Sequence, residues 1–245
     1  MIPRKIHYCW FGRGEKPRLA QKCIASWKKY CPDYRIIEWN DQNFDISTNR
    51  YAQQAYEVKK YAFVSDYVRL AVLYEYGGIY LDTDVELVRP LDELLELPGF
   101  MGFQTNNEVA TGLGFGARKG NSVVQALLRD YDALDFLKAD GSADLTPCPE
   151  RNTRVLQALG VRKDGTRQSI AEMEIFPAEY FCPMDFYSRE LRVTPKTYSI
   201  HRYAESWKPK PSAVSRILQR LLKKHYYTWY CPLRGRIEGR LRKRT

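Results

Sequence analysis

Histidine is scarce in this sequence of 245 residues, with three copies, and its six cysteines (Cys9, Cys23, Cys31, Cys148, Cys182 and Cys231) contain no CxxC pair. Without closely spaced thiols and imidazoles there is no zinc ribbon or zinc finger. Cysteines scattered through a chain of this size read as reduced thiols. Long apolar runs are missing as well. No stretch reaches the roughly 18 residues of a membrane-spanning helix, and the start, MIPRKIHYCWFG, lacks the apolar run of a secretory signal. These absences lead us to expect a cytoplasmic protein, soluble or peripheral on the inner face of the plasma membrane. Internal repeats and low-complexity linkers are also absent, which leaves one compact domain as the expected organisation.

The net charge of +10 raises the question of nucleic acid. Its distribution argues against that partner. Residues 202–245 hold 13 Lys/Arg against 2 Asp/Glu, so the remainder carries a net charge of −1. The body is close to neutral and the basic excess belongs to the C-terminus. There, Val214, Ile217, Leu218, Leu221 and Leu222 recur at helical spacing among Arg216, Arg220, Lys223 and Lys224, followed by Tyr226, Tyr227, Trp229 and Tyr230. This pattern predicts either a basic amphipathic tail at 211–245 that docks on an anionic membrane surface or a helix packed on the domain. The domain itself is expected to cover residues 1–210.

Along the body, residues 5–10, 34–39, 79–81, 85–88, 100–104 and 112–117 read as strands. Residues 19–30, 51–60 and 122–137 read as helices, and Ser65 as the N-cap of another that stops at Gly77-Gly78. Alternation of strand and helix predicts an α/β fold, a single mainly parallel sheet flanked by helices. Ligands of such sheets bind beyond the carboxyl ends of the strands. Asp82-Thr83-Asp84 sits there, just after the strand at 79–81. In an extended chain two residues apart face the same side, and two carboxylates that share a point in space repel unless a cation lies between them. Oxygen ligands suit Mg²⁺ or Mn²⁺. Two aspartates after a strand are also ordinary turn formers, so spacing alone leaves both readings open.

The surrounding residues narrow this. Residues 65–95, SDYVRLAVLYEYGGIYLDTDVELVRPLDELL, resemble the core of glycosyltransferase family 32, whose sugar-binding region is in turn similar to that of the clostridial glucosylating toxins. Residues 2–12 (IPRKIHYCWFG), 32–40 (PDYRIIEWN) and 198–207 (YSIHRYAESW) resemble further segments of the family in the expected order. The resemblance implies a GT-A fold and a retaining, metal-dependent transfer of sugar from a nucleotide-sugar donor to a saccharide or lipid-linked saccharide acceptor in surface polysaccharide synthesis. UDP-sugars come first and GDP-mannose second. It implies Asp82 and Asp84 as the catalytic metal-binding pair, with His201 a third metal ligand or a contact to the diphosphate. It implies that Trp10 stacks on the base, that Asp66 and Arg69 bind the donor, and that Ser206 and Trp207 close over it.

Tyr80, one residue removed from Asp82, is expected on the donor side or in the core. Residues 104–108 (QTNNE) are expected to line the acceptor side, with Glu108 a weaker candidate nucleophile. Competing readings are a non-catalytic sugar- or nucleotide-binding protein, a nucleic-acid-binding protein or metal nuclease, and a glycoside hydrolase that uses two carboxyl groups.

Overall fold

The computed structural model describes residues 1–12, 14–186 and 188–204. The expected tail, together with Ser206 and Trp207, lies outside the described residues. The elements are β1 (Lys5–Cys9), α1 (Arg18–Tyr30), β2 (Arg35–Trp39), α2 (Arg50–Glu57), α3 (Tyr61–Tyr76), β3 (Gly78–Tyr80), β4 (Val85–Leu87), β5 (Gly99–Phe103), β6 (Val109–Ala110), β7 (Phe115–Ala117), α4 (Ser122–Asp132), α5 (Cys148–Ala158), β8 (Gln168–Ile170), β9 (Met173–Phe176), α6 (Ala178–Phe181) and β10 (Ser199–His201).

The main sheet has the order β2-β1-β3-β7-β5-β9-β8, with β6 paired to β5. It is mixed. β2, β1 and β3 run parallel, as do β5 and β9, while β7 is antiparallel to both its neighbours and β8 is antiparallel to β9. Strand alternation gives the sheet two apolar faces. Cys9, Tyr80, Met101, Phe103 and Phe115 pack in one cluster with side chains of α2, α3, α4 and α5. Ile6, Tyr8, Ile79, Leu81 and Phe100 pack in the other with Trp27 of α1, Phe181 of α6 and Val85 and Leu87 of β4. Each large side chain buried in this way contributes about 1.5–3 kcal/mol.

Helix α3 differs from the expected one at its start. Ser65 is not the cap. The helix begins at Tyr61, and Ser65 lies inside it with its hydroxyl donating to the Tyr61 carbonyl at 3.0 Å. The break lies earlier, at Lys59, whose left-handed φ of 58° separates α2 from α3. The expected end is observed. Gly77 and Gly78 have φ of 60° and 124°, a conformation glycine adopts without the Cβ penalty. A Cβ on Gly78 would also lie 2.8 Å from the Nε2 of His7. Helix α4 stops at Asp132, five residues short of the expected end, because Gln54 captures the amides of Phe136 and Leu137 at 2.7 and 3.0 Å.

Two side chains of α1 position β4 and hence the acidic pair that precedes it. The Trp27 indole donates to the Val85 carbonyl at 2.7 Å, and the Ser26 hydroxyl accepts from the Leu87 amide at 2.9 Å. Among the described residues β4 pairs only with β10, in a separate two-stranded ribbon.

His7, fully buried in β1, fixes the junction of β1, β2 and the glycine turn. Its Nδ1 accepts from the Trp39 indole at 3.0 Å, and its Nε2 lies 3.0 Å from the Gly77 carbonyl. A carbonyl accepts only, so the ring carries its proton on Nε2 and is neutral. Burial pushes its pKa down to about 4 against the opposing pull of the Gly77 carbonyl. A depressed histidine stabilises the fold fully above the unfolded value of about 6.5 and loses that contribution as pH falls toward 4, a swing of about 3 kcal/mol. In an NMR titration the His7 ring signals should therefore keep their neutral shifts down to about pH 5. Titration near pH 6.5 would contradict this placement.

Candidate active site

The acidic pair forms differently from the extended i, i+2 arrangement expected. Tyr80 and Asp82 keep the strand's alternation and face α3. The chain then turns, with the Val85 amide donating to the Asp82 carbonyl at 2.9 Å. Asp84 thus emerges on the side of the β4–β10 ribbon, and the two carboxylates are brought together by a turn. Different partners hold them. Arg69 of α3 reaches Asp82 Oδ1 at 2.9 Å, and the same nitrogen reaches Asp66 Oδ1 at 3.1 Å. His201 of β10 lies 3.3 Å from Asp84 Oδ1, and the Ala204 amide donates to Asp84 Oδ2 at 2.7 Å. Asp82, Asp84 and His201 each offer a ligand atom within 4.8 Å of the others.

The electrostatics follow from this geometry. Arg69 is 5% exposed. Burial opposes its charge, but Asp82, Tyr80 and Asp66 outweigh burial and hold the guanidinium protonated above its ordinary range. Burial raises Asp66 to about 6, with Arg69 pulling down and Asp82 pushing up. Burial also pushes Asp84 up, yet the neighbouring His201 ring and the bonds from His201 and Ala204 prevail and bring it down to about 2. Burial lowers the pKa of His201, while Asp84 more than compensates and raises it. A second buried ring nitrogen, His201 Nδ1, has no hydrogen-bond partner among the described residues.

These residues fit a divalent cation. Two carboxylates and an imidazole converge, one ring nitrogen is orphaned although buried polar groups are nearly always bonded, and a set of oxygen and imidazole donors is acceptable to Mn²⁺.

Other expected residues are placed as follows. Tyr80 is 1% exposed, and its ring lies under Arg69 with the guanidinium carbon 5.0 Å from the ring centre. It supports the guanidinium from below and presents no open surface. Trp10 is half-buried at the end of β1; its indole donates to the Gly14 carbonyl at 2.6 Å, and Lys16 lies 5.6 Å from the ring centre. Glu108 is engaged by Lys163 at 3.2 Å and Asn106 at 3.0 Å, in the turn between β5 and β6. None of these contacts involves the acidic pair. The five cysteines among the described residues are free thiols, and no described helix is long and apolar enough to cross a membrane.

Several residues of the centre escaped the sequence reading. Thr111, Cys148 and Asn152 are buried beside Arg69. Its Nη1 lies 3.3 Å from the Thr111 hydroxyl and 3.5 Å from the Cys148 sulfur, and Asn152 donates to both at 3.1 Å. Gly112 is set against Asp82: its carbonyl accepts from the Asp82 amide at 3.1 Å, and a Cβ there would overlap Asp82 Oδ2. The glycine-rich run TGLGFG at 111–116 was the available signal.

Residues 17–100, which include the acidic pair, match the family described as "Glycosyltransferase sugar-binding region containing DXD motif". The chain is similar to inositol phosphoceramide mannosyltransferase 3 of Schizosaccharomyces pombe, with 29% identity over 147 residues covering 55% of this chain and 38% of that protein. It is also similar to the subversion of eukaryotic traffic protein A of Legionella pneumophila, with 25% identity over 203 residues covering 67% of this chain and 31% of that protein. The chain therefore spans about a third of the length of these relatives. Among solved structures, the PaToxG glycosyltransferase aligns with a TM-score of 0.46 at 20% identity, over 64% of this chain and 69% of that one.

Gly112→Ala should displace the Asp82 carboxylate and weaken Mn²⁺ binding at least about tenfold. Electron paramagnetic resonance (EPR) of free Mn²⁺ measures this, with circular dichroism confirming an intact fold. Unchanged affinity would show that Asp82 does not need the space.

Proposed function

We propose that this protein is a metal-dependent glycosyltransferase that moves a sugar from a nucleoside-diphosphate sugar to a saccharide or lipid-linked saccharide acceptor. The observation that carries this reading is the convergence of His201 on Asp82 and Asp84, the two aspartates of the stretch that matches the DXD sugar-binding family. A glycosidase would need two free carboxyl groups in acid and base roles. Here Asp82 is committed to Arg69 and Asp84 to His201 and Ala204.

In this reading Asp82, Asp84 and His201 hold the cation. When bound, the cation supplies charge neutralisation to the diphosphate leaving group. Arg69 fixes Asp82 through Oδ1 and adds a buried positive charge close to the donor. Asp66 keeps the guanidinium in place and offers its carboxylate to donor hydroxyls. The half-exposed Trp10 ring stacks on the nucleobase, a contact tolerant of base identity. Glu108, paired with Lys163, is given no part in the reaction. The acceptor proton then passes to the departing diphosphate, and the anomeric configuration is retained. UDP-sugars are the first donors to test. The mannosyl transfer named for the Schizosaccharomyces pombe relative makes GDP-mannose the second.

A donor-hydrolysis assay with Mn²⁺ tests this directly. The wild-type protein should turn over at least one donor of a UDP-sugar and GDP-mannose panel, EDTA should abolish the activity, and Asp84→Ala should lower it by at least about 100-fold. Full activity in Asp84→Ala, or no turnover of any donor, would overturn the proposal.

A further inference from the structure

The metal centre is completed from the far end of the described chain by four consecutive residues, 201–204, that hook around Asp84. His201 contacts one carboxylate oxygen, the Arg202 amide donates to the Asp84 carbonyl at 2.9 Å, and the Ala204 amide takes the other carboxylate oxygen. To bring amides 202 and 204 to one residue, the chain passes through Tyr203 at a φ of 51°, a left-handed conformation that costs a non-glycine residue on the order of 1–3 kcal/mol. Such a hook needs support from outside. Beyond the pairing of β10 with β4, side-chain contacts supply it. The Arg202 guanidinium pairs with Glu86 on β4, with Nε at 2.8 Å, and Glu86 is further held by Lys22 of α1 at 3.1 Å. The Tyr203 hydroxyl lies 2.9 Å from the Cys182 sulfur. Glu86 and Arg202 have side chains 16% and 25% exposed, a partly desolvated pair with two guanidinium contacts on one carboxylate oxygen.

We infer that Glu86 and Arg202 are positioning residues for the metal centre: their ion pair holds the 201–204 hook in register on β4, so that His201 and the Ala204 amide meet Asp84. This inference rests on the proposed cation site. It makes a prediction that charge alone reverses. Arg202 is positive and lies beside the centre, so by simple electrostatics its removal should tighten cation binding. If its role is positioning, its removal weakens binding. Glu86→Gln weakens binding on either account, so Arg202 decides.

The experiment measures Mn²⁺ affinity by EPR in the full chain for wild type, Arg202→Gln, Arg202→Lys and Glu86→Gln, with melting temperature recorded without metal. We expect Arg202→Gln and Glu86→Gln to bind Mn²⁺ about tenfold more weakly and Arg202→Lys, which keeps one charged contact, to recover most of the affinity. Arg202→Gln binding as tightly as wild type or more tightly, with wild type binding normally, would overturn the inference and leave the cation site standing. No Mn²⁺ binding by wild type would overturn the cation site, and this inference with it. If Arg202→Gln does not fold, Glu86→Asp decides, since it keeps the charge but withdraws the carboxylate from Arg202: weaker Mn²⁺ binding than wild type is the expected result, and binding as tight as wild type is the overturning one.

Discussion

A guanidinium taken out of water must be matched by acid, and Arg69 is matched by Asp66 on its own helix and Asp82 beyond β3. Much else in the centre answers to that requirement. Tyr80 lies beneath the guanidinium, and Thr111, Cys148 and Asn152 close off its other edge. Removing one member of such a buried set leaves a charge without its partner, at a cost of about 3–5 kcal/mol. The arrangement is therefore a poor way to gain stability but a firm way to fix one carboxylate oxygen of Asp82. It also places a permanent positive charge, whatever the pH, within hydrogen-bonding distance of Asp82.

The other half of the centre is built on a different principle. Asp84 is held by a short ribbon, β4 with β10, whose strands are separated by more than a hundred residues. One carboxylate is fixed by a helix under the sheet and the other by a hook from the end of the described chain. The turn from Asp82 to Val85 is where the two supports meet. A centre assembled in this way depends on both being in place, and the separation of the supports is what lets α3 and β10 contribute to one small volume.

The sequence made some of this legible and hid the rest for physical reasons. The Gly77-Gly78 stop, the strand before Asp82 and the strand-helix alternation through α4 depend on local preferences, and local preferences can be read from a single chain. Strands β8, β9 and β10 have three or four residues each and are specified by their sheet partners, so no period marks them. Ser65 looked like a cap because serine caps helices; the true break is a left-handed Lys59, for which composition gives no sign. Asp66, Arg69, Asp82, Asp84 and His201 were visible through their family pattern, while Gly112, Thr111, Cys148 and Asn152 act through contacts that only the folded chain creates. Asp82 and Asp84 do face one point as expected, but through the Asp82–Val85 turn and not through an extended chain.

The central claim is that Asp82, Asp84 and His201 together form one cation site. Anomalous diffraction from Mn²⁺-soaked crystals, recorded at the manganese edge, tests it most directly. The account predicts a single strong peak at about 2.0–2.3 Å from a carboxylate oxygen of Asp84, with Asp82 and His201 on the same ion directly or through water. A peak held by other residues, or none at this centre at saturating Mn²⁺, would contradict it.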